Sequence, residues 1–316
     1  MKFPGYIGID LGTSGCRGVS IDTHGRILAH SSHSLPSSCS PHPLWAEQSP
    51  KAWWQATCQV IKDLLAATPE HHSTAIAVDG TSSTLLLTDN RGQPLTPGLM
   101  YNDQRAQDEA RELAELAPPD SAVHSPSSSL AKLLWLGKHF SLDNNRALHQ
   151  SEWITACLSR DFTQGDENNC LKLGYDPIQR QWPDWIDRLP IPPSVLPKVQ
   201  PVGTLISTID HSVAEETGLP ADCQIYSGTT DSTAAALAAG LNQIGDALTS
   251  LGSTLVCKIL SEQPVFDAKY GVYSHRIGDR WLVGGASNSG GSVLRQYFSD
   301  TELDILSQHI NPHRSL

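Results

Sequence analysis

The sequence predicts an α/β protein of two domains, residues 1–240 and residues 241–316. Three observations predict it. Residues 5–11, 15–22 and 26–32 read as three short strands parted by the turns "GTSG" and "THGR", an antiparallel opening meander. Amphipathic helices and buried strands then take turns as far as residue 240. Beyond it the pattern returns to strand-turn-strand, at about 246–251, 253–260, 270–277 and 280–286.

The elements follow in order. Trp53, Trp54, Thr57, Val60, Ile61, Leu64 and Leu65 recur at helical spacing and predict a helix over 44–67. "STAIAVDG" (73–80) is a buried strand ending in Asp79-Gly80, and "STLLLTD" (83–89) is a second, closed by the turn "NRGQP". Helices are expected over 103–117 and 129–140, then a polar, Pro-rich middle over 160–203. A helix near 209–218 and a buried strand at 223–228 come next. "TTDSTAAALAAGL" (229–241) reads as a helix with polar residues at its entrance, and "SNSGGSVLRQYF" as a helix start.

Composition bounds the function. A formal net charge of -11 argues against nucleic acid or an anionic membrane as partner, though not against a small anion held by backbone amides. The 7 cysteines are odd in number and never form Cys-x-x-Cys, which suits a reducing cytoplasm. The N-terminus passes directly into a strand without an apolar signal segment, and no run is long enough for a membrane helix. The 13 histidines include no His-x-x-x-His pair; His71-His72 is expected in a polar turn, with the histidines as solvated loop residues. Ser287 and Ser289, in "GGASNSGG", do not form a G-x-S-x-G nucleophile elbow.

Two carboxylates stand out. Asp10 ends an apolar run and faces the turn Gly12-Thr13-Ser14-Gly15. Either the segment is an Asx-type hairpin turn, or its amides and hydroxyls bind phosphate with Asp10 near an accompanying magnesium ion. Asp231 follows a buried strand and opens a helix. There it is either a first-turn carboxylate favoured by the helix dipole or an ionised acceptor for a substrate hydroxyl proton. "GDALTSLGSTLVCKIL" repeats the strand, Gly-(Ser/Thr)-(Ser/Thr), strand design of the opening hairpin. Two such tips suit a polyphosphate gripped from two sides. G-x-x-x-x-G-K-[ST] and a convincing G-x-G-x-x-G are both absent.

In these segments the chain resembles the FGGY carbohydrate kinases, within the larger group that holds actin, hexokinase and the heat-shock chaperone ATPases. "GIDLGTSGCRGVSID" and "TSLGSTL" are similar to that group's two phosphate hairpins. "SSSLAKLLWLGKH" (127–139) resembles the first family signature, with Lys132 and Trp135 in place, and "YNDQRA" resembles its W-x-D-x-R segment with Tyr for Trp. "SGTTDSTAAALAAG" is similar to the catalytic Asp segment, and "GGASNSGGSVLRQ" to the Gly-rich turn. "AVDGTSSTLLL", "NNCLKLGYDP", "GTTDS" and "GGASNSGG" look most like the D-ribulose kinase branch and less like xylulose or glycerol kinases.

The resemblance implies an actin-like (ribonuclease H-like) two-domain sugar kinase fold, with chemistry in a cleft between the domains. It implies transfer of a phosphoryl group from ATP, with Mg2+, to a ketopentose, D-ribulose first. Another sugar or polyol kinase, such as one for xylulose, and a sugar-binding pseudokinase are the rivals. Asp231 would be the catalytic base, Asp10 the magnesium ligand, and Thr13 a contact to the transferred group. Ser82 would touch the sugar, with Asp103 and Lys172 as further sugar-side candidates. Gly12, Thr13, Ser14, Gly252, Ser253 and Thr254 would lie by the ATP phosphates. Sugar and ATP are the implied partners, with no nucleic acid or membrane, and a homodimer is compatible with the resemblance. No segment resembles the family's GGG-x-x-N-x-x-W adenine-binding run, so the second domain is expected to be incomplete.

Overall fold

The structure is a computed structural model and describes residues 2–251, 255–287 and 290–310. The chain divides into two compact units, Met1–Ala235 with His275–Gly278, and Ala236–Ser274 with Asp279–Leu316.

The first unit opens with β1 (Phe3–Leu11), β2 (Gly15–Asp22) and β3 (Ile27–Ser34), then β4 (Glu47–Gln48), α1 (Pro50–Ala67) and β5 (His71–Gly80). It continues with β6 (Leu85–Asp89), β7 (Gly98–Leu99), α2 (Gln107–Leu116), α3 (Ser129–His139), β8 (Asn145–His149) and α4 (Gln150–Ser159). Next come β9 (Gln164–Asp166), a 3-10 turn at Cys170–Leu173, β10 (Lys198–Gln200), β11 (Leu205–Thr208), α5 (His211–Thr217), β12 (Gln224–Thr230) and α6 (Asp231–Ala238).

Six strands form its main sheet in the order β11-β12-β5-β1-β2-β3. The expected meander supplies the antiparallel β1–β2–β3 half, while β1, β5 and β12 run parallel. Parallel pairing turns three strand ends toward one edge, where α/β sheets bind ligands. On the sheet lies a core of Ile7, Ile9, Leu11, Ile76, Val78 and Ile225 with Trp53, Val60, Ile61 and Leu64 of α1 and Ile154 and Leu158 of α4. A Cβ on Gly18 of β2 would overlap Val60 of α1, so glycine sets how closely that helix seats. A second core gathers Leu85, Leu87 and Leu99 with Leu113 of α2 and Leu130, Leu133 and Leu136 of α3.

Three expectations change. The helix predicted over 44–67 starts at Pro50, whose fixed φ and missing N–H suit the first helical position, and the residues ahead of it form β4. His71-His72 opens β5 rather than occupying a turn. Helix α4 was not foreseen: all but its last residue are buried, so its apolar residues show no one-sided period.

The second unit contains β13 (Ala247–Leu251), β14 (Leu255–Ser261) and β16 (Arg280–Ser287), with β15 (Tyr273–Ile277) divided between the units. These form a four-stranded sheet in the order β13-β14-β16-β15. Short helices α7 (Gly291–Leu294) and α8 (Asp300–Gln308) follow. The predicted phosphate contacts Gly252, Ser253 and Thr254 lie outside the described residues, as does Ser289. No described helix is long and apolar enough to cross a membrane.

Candidate functional site

The carboxyl ends of β1, β5 and β12 bring three aspartates together. Asp10 stands opposite Asp79 in the β1–β5 register, and Asp79 stands opposite Thr229 of β12, two residues before Asp231. Burial, then the Asp10 and Asp231 carboxylates, push the Asp79 carboxyl up to about 8. At neutral pH the trio therefore keeps a proton on Asp79, the response of like charges crowded in a poorly solvated place. Asp79 was read from the sequence only as a strand end.

The opening turn is fastened on both sides. Gly12 N–H donates to Gly15 O at 3.0 Å and Leu35 N–H to Ser14 O at 2.9 Å. Thr13 O accepts from Gln48 Nε2 at 2.7 Å, and Gln48 Oε1 in turn accepts from Trp53 Nε1 at 2.9 Å. The Thr13 and Ser14 side chains are thus carried on a backbone anchored to the core. Arg17, directly across from Asp10 in the hairpin, donates to its Oδ2 at 3.1 Å. The sequence reading passed over Arg17, although i, i+7 pairing across a four-residue turn is what such a hairpin produces.

Asp231 begins α6 and accepts the Ser232 N–H at 2.6 Å. Behind it, β12 slips register against β5 between Tyr226 and Thr229. Gly228 sits in that slip, where a Cβ would overlap Val78 O. Lys172, in the 3-10 turn, has its ammonium pushed down by burial and drawn back up by the Asp231 charge, which places the two in electrostatic contact.

Ser82 lies just past the end of β5, and its Oγ is buried without a hydrogen-bond partner among the described residues. Asp103 is differently placed. Its carboxylate is fully buried and accepts from Ala46 N at 2.7 Å and from Arg105 Nη2 at 2.7 Å, with further bonds from Arg105 N and Nε. The Arg105 guanidinium also lies over the Trp45 ring at 4.0 Å. Asp103 is engaged in this internal network, which ties the chain around β4 to the start of α2.

His149, Glu152 and Cys170 form a buried group close enough to hold a metal ion, but hydrogen bonds already occupy it. His149 Nε2 lies 2.8 Å from Ser129 Oγ, and His149 Nδ1 2.7 Å from Glu152 Oε2. Glu152 Oε1 accepts the Asp166 N–H at 3.1 Å. Burial and the Glu152 charge push Asp166 up to about 7, and Asp166 holds Asn168 and Asn169 by their N–H groups. The network orders the loop leading to Lys172. His149 is wholly buried, unlike the solvated histidines the sequence suggested.

Burial lowers Lys132 to about 7, with Asp103 opposing the shift and Lys172 and Arg105 reinforcing it. The unfolded lysine keeps its proton to about pH 10. Between those values the unfolded chain binds more protons, so this group makes stability rise with pH through that window. Thermal melts at pH 7 and 9 should show that gain in the wild type and a smaller one in Lys132→Met; equal gains would refute it.

Residues 5–238 match the sequence model of the FGGY family of carbohydrate kinases, N-terminal domain. A xylulose kinase of Staphylococcus epidermidis is 25% identical over 309 residues, covering 94% of this chain and 62% of the relative. A xylulose kinase of Escherichia coli is 26% identical over 299 residues, covering 92% and 61%. The crystal structure of a xylulose kinase from Rhodospirillum rubrum superimposes with a TM-score of 0.86 at 24% identity, covering 98% of this chain and 67% of that one. The chain spans about 62% of the length of the curated relatives named here.

Proposed function

Because this chain belongs to the FGGY family of carbohydrate kinases, we propose that it carries the sugar side of an ATP-dependent kinase acting on a terminal hydroxyl of a ketopentose. The carrying observation is the carboxylate trio at three parallel strand ends beside the anchored Gly12–Gly15 turn. Residues 1–240 are read as the sugar-binding domain and 241–316 as the start of the nucleotide-binding domain. A cytoplasmic location is part of the same reading and is in keeping with the free cysteines.

In this reading Asp231 accepts the hydroxyl proton as the oxygen attacks the terminal phosphorus of ATP. Lys172 offsets the negative charge gathering at that oxygen. Ser82 orients the sugar. The Thr13 and Ser14 amides and hydroxyls, next to Gly12, receive phosphate oxygens, and Arg17 exchanges its Asp10 contact for the transferred group. The meeting of carboxylates at these strand ends fits a divalent cation held by Asp10, directly or through water. A cation held there would supply neutralising charge for the phosphates.

The relatives' names support xylulose, whereas the motif details resemble the D-ribulose branch. ADP release measured over a sugar panel with the full-length protein should be greatest for D-xylulose. A larger response to D-ribulose would restore that substrate, and no response to any ketopentose would overturn the reading. Chelating divalent metal with excess EDTA should abolish the response and added Mg2+ restore it; metal-independent turnover would remove Asp10 from its role. Sugar-dependent thermal stabilisation without phosphorylation would mark a pseudokinase.

A further inference from the structure

The four residues Thr81-Ser82-Ser83-Thr84 link β5 to β6, and the backbone there is strained. Ser83 has φ +67°, a left-handed conformation uncommon for a residue with a side chain, and such strain persists only where surrounding structure enforces it. Two side chains enforce it from different elements. Lys132 of α3 is wholly buried, and its Nζ donates to Ser83 O at 2.9 Å and to Met100 O at 2.7 Å. Gln150, the first residue of α4, is also wholly buried. Its Oε1 accepts from Thr81 N at 3.3 Å and from Thr81 Oγ1 at 3.0 Å.

The amide orientation of Gln150 is forced. A backbone N–H can only donate, so the oxygen must face Thr81 and the NH2 group must face away. That NH2, Ser82 Oγ and Ser83 Oγ are buried and without hydrogen-bond partners among the described residues. A buried lysine is costly, and an apolar side chain would fill the slot at lower cost. What the lysine adds is a fixed position for Ser83 O. With its pKa lowered to about 7 the amine is largely neutral above neutrality, and a neutral amine has two N–H donors for its two carbonyls.

We propose that Lys132 and Gln150 are positioning residues that clamp the Thr81–Thr84 turn and thereby aim the Ser82 hydroxyl at the sugar. The inference rests on the sugar-kinase reading above. Neither side chain has to touch substrate; each acts through the turn. Freed from either clamp, Ser83 relaxes toward an ordinary φ and carries the neighbouring Ser82 hydroxyl away. Displacement of a substrate-orienting group by about 1 Å is enough for a change of order 10²-fold.

The test is steady-state kinetics of the full-length protein and three variants, Lys132→Met, Gln150→Met and Gln150→Glu. The two methionine variants should raise the KM for the sugar by about 10-fold or more, with the KM for MgATP unchanged. Glutamate keeps the acceptor for Thr81 and should restore the sugar KM. Should Lys132→Met fail to fold, the Gln150 pair decides alone. A sugar KM equal to wild type in folded Gln150→Met, or no recovery in Gln150→Glu, would overturn the clamp. A wild type without ketopentose turnover would overturn the kinase reading and this inference together, so the two failures are distinguishable.

Discussion

Asp231→Ala should lower single-turnover phosphorylation of the sugar by about 10³-fold, with the fold preserved. A positioned general base contributes roughly 10²- to 10⁴-fold, and alanine leaves no group to accept the hydroxyl proton. Preservation of the fold follows from the local structure. Asp231 is the first residue of α6, half-exposed, and accepts the N–H of the adjacent Ser232. Losing a first-turn carboxylate costs a helix about 1 kcal/mol or less. The measurement is a rapid-quench time course at saturating sugar and MgATP, paired with circular dichroism. A folded variant with wild-type turnover would remove Asp231 as the base.

Gly228→Ala should be the most damaging single methyl addition in the first unit. Its Cβ would meet the backbone carbonyl of Val78 on the neighbouring strand, which has no rotamer to escape into. To make room, β12 must move away from β5 at the register slip that presents Asp231. Overpacking costs typically 1–3 kcal/mol and more when only backbone can yield, so about 3 kcal/mol is expected. Urea unfolding should show the midpoint fall, and activity should fall with it because Asp79 and Asp231 separate. A midpoint and turnover equal to wild type would mean that the strands there are not held so closely.

Gly228 and Lys132 illustrate what pattern reading reaches. The sequence placed a strand before Asp231 and a helix after it, because an apolar run followed by small helix formers says so locally. It carried no sign that Gly228 lies against another strand's carbonyl, since that partner is 150 positions earlier in the chain. Lys132 was visible as a motif residue, yet its bonds to Ser83 and Met100 depend on how α3 lies against the β5–β6 turn. Asp103 shows the converse: a motif position suggested the sugar, while the fold spends its carboxylate on Arg105 and Ala46.

By itself the sequence determined the α/β class, the opening hairpin with Asp10 facing its turn, and a carboxylate at the start of the helix after β12. These rest on local alternation, turn residues and helix-start chemistry, all of which act within about ten residues. The tertiary structure alone decided that Asp10, Asp79 and Asp231 form one charged group, and that Lys132 and Gln150 hold the strained turn beside it. The physical reason is the parallel sheet. Parallel strands need long crossover connections, so residues that meet at their ends are scattered along the chain, and only register and packing bring them together.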